Sequence, residues 1–247
     1  MRLRRLIRHN LPIGIVRTRM SLHPLFTPEH EEFRLALTYE RTERRGPVFD
    51  RLRNEIGDTL LLLEHPPVIT LGRSWKPSSL PIDPEALRAR GIEVFDIERG
   101  GDVTYHGPGQ LVGYPILDLQ QHQPDLHWYL RQLEDMLIGA LGSLGIAAGR
   151  RASYTGVWTG GRKIASIGVH VRQWVTWHGF ALNVTTDLSP FSLIVPCGIP
   201  DVVMTSVKKE APALEKPDEA ILGVARNAVV AAMCSSFHAE LPAPVSR

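Results

Sequence analysis

The stretch GVWTGGRKIASIGVHVRQWVTWHGFALN, residues 156–183, decides how the fold is read. Gly156-Val157-Trp158 is a short apolar strand, and Thr159-Gly160-Gly161-Arg162 has the composition of a tight turn. Lys163 to Arg172 and Val175 to Asn183 are two further extended runs. Strands rich in Val, Ile, Trp and Phe, joined by connections this short, can only pair with their sequence neighbours, which predicts an antiparallel meander.

Upstream, residues 59–65 read as a buried strand that the Pro66-Pro67 pair interrupts, and residues 68–72 resume an extended segment ending beside Arg73. Asp83 followed by Pro84 is a helix N-cap with proline in the first turn, and Gly91 stops that helix. Residues 92–97 form the next strand. Leu126, Leu130, Leu133, Leu137, Leu141 and Leu144 recur with Arg131, Glu134 and Asp135 between them, which predicts an amphipathic helix. A second long helix is expected over residues 217–238, starting near Pro217-Asp218-Glu219. The class is α/β mixed (α+β), with helices packed on a largely antiparallel sheet.

With 247 residues, 43% hydrophobic and 22% charged, the chain can bury a full core, and no repeat or linker-like stretch divides it. The net charge is +2 with the arginines scattered, which argues against nucleic acid as the main partner. The longest apolar run is too short to cross a membrane. Residues 1–20 hold six arginines and no acidic residue, but their apolar stretch, residues 11–16, is too short for a secretory signal. Cys197 and Cys234 are too few for a disulfide framework, so a cytoplasmic protein is expected. Cys234 lies in an apolar, helix-like stretch and reads as a packing residue.

Several segments have the makings of chemistry. Residues 99–110, Arg-Gly-Gly-Asp-Val-Thr-Tyr-His-Gly-Pro-Gly-Gln, concentrate glycine directly after a strand, which costs conformational entropy unless the backbone must approach something closely. No Gly-Lys-Ser/Thr follows, so it is not a Walker loop. Cys197 stands between Pro196 and Gly198 just past an apolar run, a position that displays a thiol at a turn. A thiol attacks as the thiolate and needs a nearby cation to be reactive at neutral pH, and a plain buried thiol is the competing reading. The chain uses 23 arginines and only five lysines, yet Lys163 opens an apolar strand. Lysine can give up its proton where arginine cannot. The small residues Ala165, Ser166 and Gly168 leave room beside their strand, and Gly179-Phe180-Ala181 repeats the pattern on the next, as two walls of one apolar slot would. His170 and His178 have no Cys, Asp or Glu at ligand-like spacing, so no metal is expected, and His106 is expected to shape the binding loop.

Taken together, Leu61-Leu62-Leu63-Glu64-His65-Pro66-Pro67, the run from Arg99 to Gln110, Lys163 to His170, His178-Gly179-Phe180-Ala181-Leu182-Asn183-Val184 and Pro196-Cys197-Gly198-Ile199 resemble the lipoyl(octanoyl) transferases, over roughly residues 59–207. The resemblance implies a fold like the biotin and lipoate protein ligase catalytic domains, and no cofactor. It implies octanoyl-acyl carrier protein as donor. The acceptors it implies are lipoyl domains of 2-oxoacid dehydrogenase complexes and the glycine cleavage H protein. Carried over by motif, Cys197 is the thioester nucleophile and Lys163 its activator. Arg99, Gly100, Gly101, Asp102, Val103, Thr104, Tyr105 and His106, with Ser166, Ile167, Gly168, Gly179, Phe180 and Ala181, are the substrate-binding residues. Residues 1–32 are then a basic extension, disordered or upstream of the true start, 33–240 a single acyltransferase domain, and 241–247 a frayed tail. Arg150, Arg151, Lys208 and Lys209 are candidates for steering acidic carrier domains. Two alternatives stay open at this point: an ATP-dependent lipoate or biotin ligase, and a non-catalytic module that holds acyl chains or carrier domains.

Overall fold

A computed structural model describes residues 57–237, together with the backbone of two short strands, β1 (Arg17–Thr18) and β2 (Met20–Leu22). Apart from that backbone, the expected extension over residues 1–32 lies outside the described residues, as does the tail 241–247. Then follow β3 (Asp58–Leu63), β4 (Val68–Leu71), α1 (Pro84–Arg88), β5 (Glu93–Asp96), β6 (Val103–His106) and β7 (Gln110–Ile116). The remainder is α2 (Leu126–Ser143), β8 (Gly149–Arg151), β9 (Tyr154–Thr159), β10 (Arg162–Arg172), β11 (Val175–Asn183), α3 (Val207–Glu210) and α4 (Asp218–Ser236).

The larger sheet runs β1-β2-β3-β7-β11-β10-β9-β8 and is antiparallel except where β2 meets β3. The meander expected over residues 156–183 forms three consecutive strands of it, β11-β10-β9, beside the β8 edge. Gly160 and Gly161, at φ 53° and 78°, make the β9–β10 turn, whose twist matches that of the flanking strands. The β10–β11 connection has the same hand, with Gln173 at φ 50° and Trp174 at 65°. The smaller sheet, β5-β4-β6, pairs β4 parallel to β5 and antiparallel to β6.

Helix α2 starts where Asp125 accepts hydrogen bonds from the amides of His127 (2.7 Å) and Trp128 (3.1 Å), satisfying two otherwise orphaned donors. Its Tyr129, Leu133, Met136, Leu137 and Leu141 meet Ile221, Leu222, Ala225, Val229 and Met233 of α4 in one core. The same core takes Leu60, Leu111, Ile164 and Leu182 from the sheet. Leu126, expected on the apolar face, remains 41% exposed in the first turn. A second core gathers Ile69, Leu71, Leu87, Ile92, Val103, Tyr105, Phe191 and Ile194 around the small sheet. The two sheets meet at the glycine-rich segment, where Gly100 N–H donates to Val169 O of β10 (2.9 Å). No described helix is long and apolar enough to cross a membrane.

Candidate active site

Lys163 and Cys197, 34 positions apart, meet: Nζ lies 3.0 Å from Sγ. The lysine is only 1% exposed. Its backbone is gripped on both sides, with its N–H donating to Val203 O (2.8 Å) and its carbonyl accepting from Thr205 N–H (2.9 Å). Its stem passes Gly156, where a Cβ would come within 3.0 Å of Lys163 Cε, and Nζ lies 4.9 Å from the centre of the Trp158 ring. Among the described residues no carboxylate lies within ion-pair distance of Nζ. A buried ammonium needs an anion to offset its desolvation. The polar atom against Nζ is the Cys197 sulfur, and the Trp158 face is its other neighbour.

Cys197 holds an uncommon backbone conformation, φ 58° and ψ 20°, the left-handed region that costs a non-glycine residue about 1 kcal/mol or more. Three bonds fix the turn: Gly198 N–H to Val195 O (3.0 Å), Ile199 N–H to Pro196 O (3.1 Å) and Val195 N–H to Ser79 O (2.9 Å). Gly198 also has positive φ, 65°, and a Cβ on it would fall 2.4 Å from Asp102 Oδ2. Asp102 is itself held by the Ser79 hydroxyl (2.7 Å) and the Val103 amide (2.7 Å). Ser166 Oγ lies 3.7 Å from the sulfur. Because the Gly198 and Ile199 amides are already engaged, neither is available as an oxyanion donor in this turn.

The dyad opens into a cavity of about 210 Å³. Of the sequence-derived site residues, Arg99, Gly100, Gly101, Asp102, Thr104, His106, Ser166, Ile167, Gly168, Gly179, Phe180 and Ala181 line it with Lys163 and Cys197. Val103 and Tyr105 do not. The whole of residues 99–110 was expected to be loop, but residues 103–106 form β6, and strand alternation turns those two side chains into the second core. The β10–β11 register sets Ser166 opposite Ala181, Ile167 opposite Phe180 and Gly168 opposite Gly179, so the two small-residue patterns do sit side by side. Gly113 on β7 makes room for Phe180, whose ring a Cβ there would overlap.

His65, Thr70, Tyr114, His178 and Ile199 also line the cavity and are not among the expected substrate-binding residues, His178 having been weighed only as a metal ligand. His65 and His178 lie within the motifs quoted for the resemblance, but a lone histidine in an apolar run gives no signal of which way it faces. His178 shows φ 56° inside β11. His65 Nε2 lies 2.7 Å from the Tyr114 hydroxyl, and His106 bonds Gln110 Oε1 (2.8 Å). Gln110 in turn donates to Asn183 Oδ1 (2.9 Å) and Asn183 to Thr205 O (3.0 Å), tying β6, β7 and β11 to the segment that grips Lys163.

Arg99 donates to the Thr70 carbonyl (2.7 Å) and hydroxyl and to Gly100 O (3.1 Å). Burial draws its guanidinium down to about 10, which leaves it cationic at neutral pH. Burial, with Arg99 adding to it, takes His106 to about 4 and His178 to about 3, and burial also takes His65 well below its ordinary value. The cavity therefore presents neutral imidazoles. Among the described residues no three of His, Cys, Asp and Glu gather as a metal site would require.

The steering patch is altered by the structure. Arg150 is paired with Glu134 (2.8 Å) and Asp135 (2.6 Å), and Lys208 with Asp218 (2.7 Å), so half of the expected cations are already neutralised. Cys234 is buried in α4, where burial raises its thiol, as a packing residue requires.

Comparison with known proteins adds the family. Residues 45–227 match the lipoyl protein ligase A/B catalytic domain. An octanoyltransferase from Geobacter sulfurreducens is 50% identical over 77% of this chain and 83% of its own length. One from Gloeobacter violaceus is 58% identical over 58% of this chain and 62% of its length, so that match spans less than two thirds of the relative. Among solved structures, lipoate-protein ligase A bound with ATP superposes with a TM-score of 0.69 over 89% of this chain and 86% of that one, at 18% identity. A bipartite lipoate protein ligase from Thermoplasma acidophilum superposes at 0.68, also at 18% identity, over 89% of this chain and 84% of that one. The latter two establish the fold expected from the sequence, and the former two the closer kinship: the chain belongs to the lipoyl protein ligase A/B catalytic domain family and, within it, to the octanoyltransferases.

Proposed function

We propose that this octanoyltransferase carries its acyl group as a thioester on Cys197, taking it from octanoyl-acyl carrier protein and delivering it to a lysine of a lipoyl domain. The observation that carries this reading is the 3.0 Å contact between Lys163 Nζ and Cys197 Sγ in the wall of the cavity. Lys163 takes the thiol proton, the thiolate attacks the donor thioester, and the carrier thiol leaves with the proton that Lys163 returns. The neutral amine of Lys163 then accepts a proton from the incoming lysine as its nitrogen attacks, and passes that proton to the Cys197 sulfur as the C–S bond breaks, so both groups return to their starting state. Thioester to amide is downhill and needs no ATP. The ligase-like fold does not by itself imply ATP chemistry, since likeness at 18% identity carries fold alone.

The octanoyl chain would lie against the cavity wall to which Ile167 and Phe180 belong, where each buried methylene contributes about 0.8 kcal/mol, or about 5 kcal/mol for the chain. The neutral imidazoles of His106 and His178 keep charge off that wall. Lipoyl domains of 2-oxoacid dehydrogenase complexes and the glycine cleavage H protein are the proposed acceptors, and the cytoplasm the proposed compartment.

Intact-protein mass spectrometry after mixing the chain with octanoyl carrier protein tests the route. One octanoyl on the wild type, none on Cys197→Ala and slow addition on Lys163→Ala is the expected result. An unmodified wild type, with the carrier confirmed as loaded, would overturn it. Product formation from free octanoate and ATP would point to a ligase instead.

A further inference from the structure

We propose that the octanoyl group on Cys197 also moves to Nζ of Lys163 itself when no acceptor is present, so that the activating lysine is a self-acylation site that ends the enzyme's own activity. This rests on the thioester reading above. Nζ lies 3.0 Å from Sγ, and the thioester carbonyl carbon is bonded to that sulfur. An amine held there is within reach of the separation of about 3–3.5 Å at which oriented intramolecular reactions gain their large effective molarities.

Proton counting makes the amine a nucleophile at the moment the thioester forms. The proton Lys163 took from Cys197 leaves with the donor's thiol, so the acyl-enzyme holds a neutral amine beside an activated ester. Among the described residues no carboxylate lies within ion-pair distance of Nζ to hold a proton on the amine. Its polar contact is the sulfur, and its other neighbour is the face of Trp158. In the transfer the nitrogen lone pair attacks the carbonyl carbon, the C–N bond forms, the C–S bond breaks, and the nitrogen's proton passes to the departing Cys197 thiolate. The products are an octanoyl amide on Lys163 and a free thiol. No co-reactant is consumed.

The architecture slows this step. Lys163 is anchored through its backbone between Val203 and Thr205, and its Nζ rests against Sγ and the Trp158 face, so the amine is held toward the sulfur instead of above the carbonyl. An acceptor lysine entering from the cavity can choose its angle of attack, whereas Lys163 cannot. The side reaction therefore matters when the acyl-enzyme waits. Once it has occurred, the acyl chain still occupies the cavity and the base for both half-reactions is an amide.

The test uses the full chain with octanoyl carrier protein and no acceptor, sampled over time. Each sample is split, and one half is treated with neutral hydroxylamine, which cleaves thioesters and spares amides. Early samples are expected to carry only hydroxylamine-labile octanoyl. A resistant fraction then grows, limited to one octanoyl per chain and mapping by peptide mass spectrometry to Lys163, with transferase activity lost in the same proportion. Adding a lipoyl domain from the start should suppress it, and Lys163→Arg should show labile adduct alone. The proposal is overturned if octanoyl stays fully labile with Lys163 unmodified, or if resistant octanoyl spreads over Lys208, Lys209 and other surface lysines. No octanoyl at all would overturn the thioester reading together with it. Because the mapping is done on the wild-type chain, the result does not depend on whether any variant folds.

Discussion

Gly156 of β9 and Lys163 of β10 are shaped to one another: the glycine has no Cβ where the lysine stem passes, and one would sit 3.0 Å from Cε and 2.7 Å from Ala165 O. Gly156 also holds φ 131°, a conformation nearly closed to other residues. Gly156→Ala should therefore displace the Lys163 amine from Cys197 and lower the rate of acyl-enzyme formation by about tenfold or more, since small misplacements of reacting groups cost that much. Stopped mass-spectrometric time courses measure it. An unchanged rate would mean that the stem has another path.

Gly156 is placed in turn by Glu134, whose fully buried carboxylate accepts its amide (3.1 Å) and pairs with Arg150 and Arg131. Glu134→Ala leaves that amide and the inner side of Arg150 without a partner, and should cost about 1–3 kcal/mol in urea unfolding. Glu134→Gln, which keeps an acceptor for Gly156, should cost less. Equal losses would locate the effect in charge alone.

Gly198 and Asp102 should behave as a coupled pair. Gly198→Ala combines a positive φ with a Cβ 2.4 Å from Asp102 Oδ2. Asp102→Ala removes the carboxylate it would strike. In a double-mutant cycle on stability, the double variant should be less destabilised than the sum of the single ones, by about 0.5–3 kcal/mol, because only the backbone strain persists. Simple additivity would show that the turn moves away from Asp102 at no cost.

Acid should unfold the protein through its cavity histidines. His106 and His178 are held to about 4 and about 3 in the fold, against an ordinary value near 6.5, so the folded state keeps them neutral while the unfolded chain takes up protons. Their contribution is present above pH 6.5 and is lost as pH falls toward 4 and 3. The slope is about 1.4 kcal/mol per pH unit for each histidine. Denaturation midpoints between pH 7 and 4.5 measure it, and His106→Gln should flatten the curve.

Much of this was legible beforehand, for identifiable reasons. The meander over residues 156–183 could be read because tight connections favour pairing between sequence neighbours, and α2 because the leucine spacing marks its face, whereas the Asp125 cap that starts it gave no sign of its own. Strand β6 was hidden because its glycine-rich flanks resemble loop, and with it the alternation that sends Val103 and Tyr105 away from the cavity. The meeting of Lys163 with Cys197 rested on family resemblance, since 34 intervening residues give no local signal. Asp102 offered still less. Its contact with Gly198 arises only when two distant turns are brought together by Ser79.

The grip of Val203 and Thr205 on the Lys163 backbone, with Cys197 on the same lysine's tip, closes a small loop of chain from both ends. Residues 198–202 act as a spacer of fixed length. Asp201 is exposed and holds φ 57°, so a change of side chain there is felt through the local backbone and leaves the spacing intact. A change in the number of residues is another matter, because one residue more or fewer would shift the sulfur relative to the amine while leaving every side chain of the dyad in place. In this protein the tolerance of that segment to insertion is set by its arithmetic, and an alignment gap there would mark a relative that has built its reactive pair in some other way.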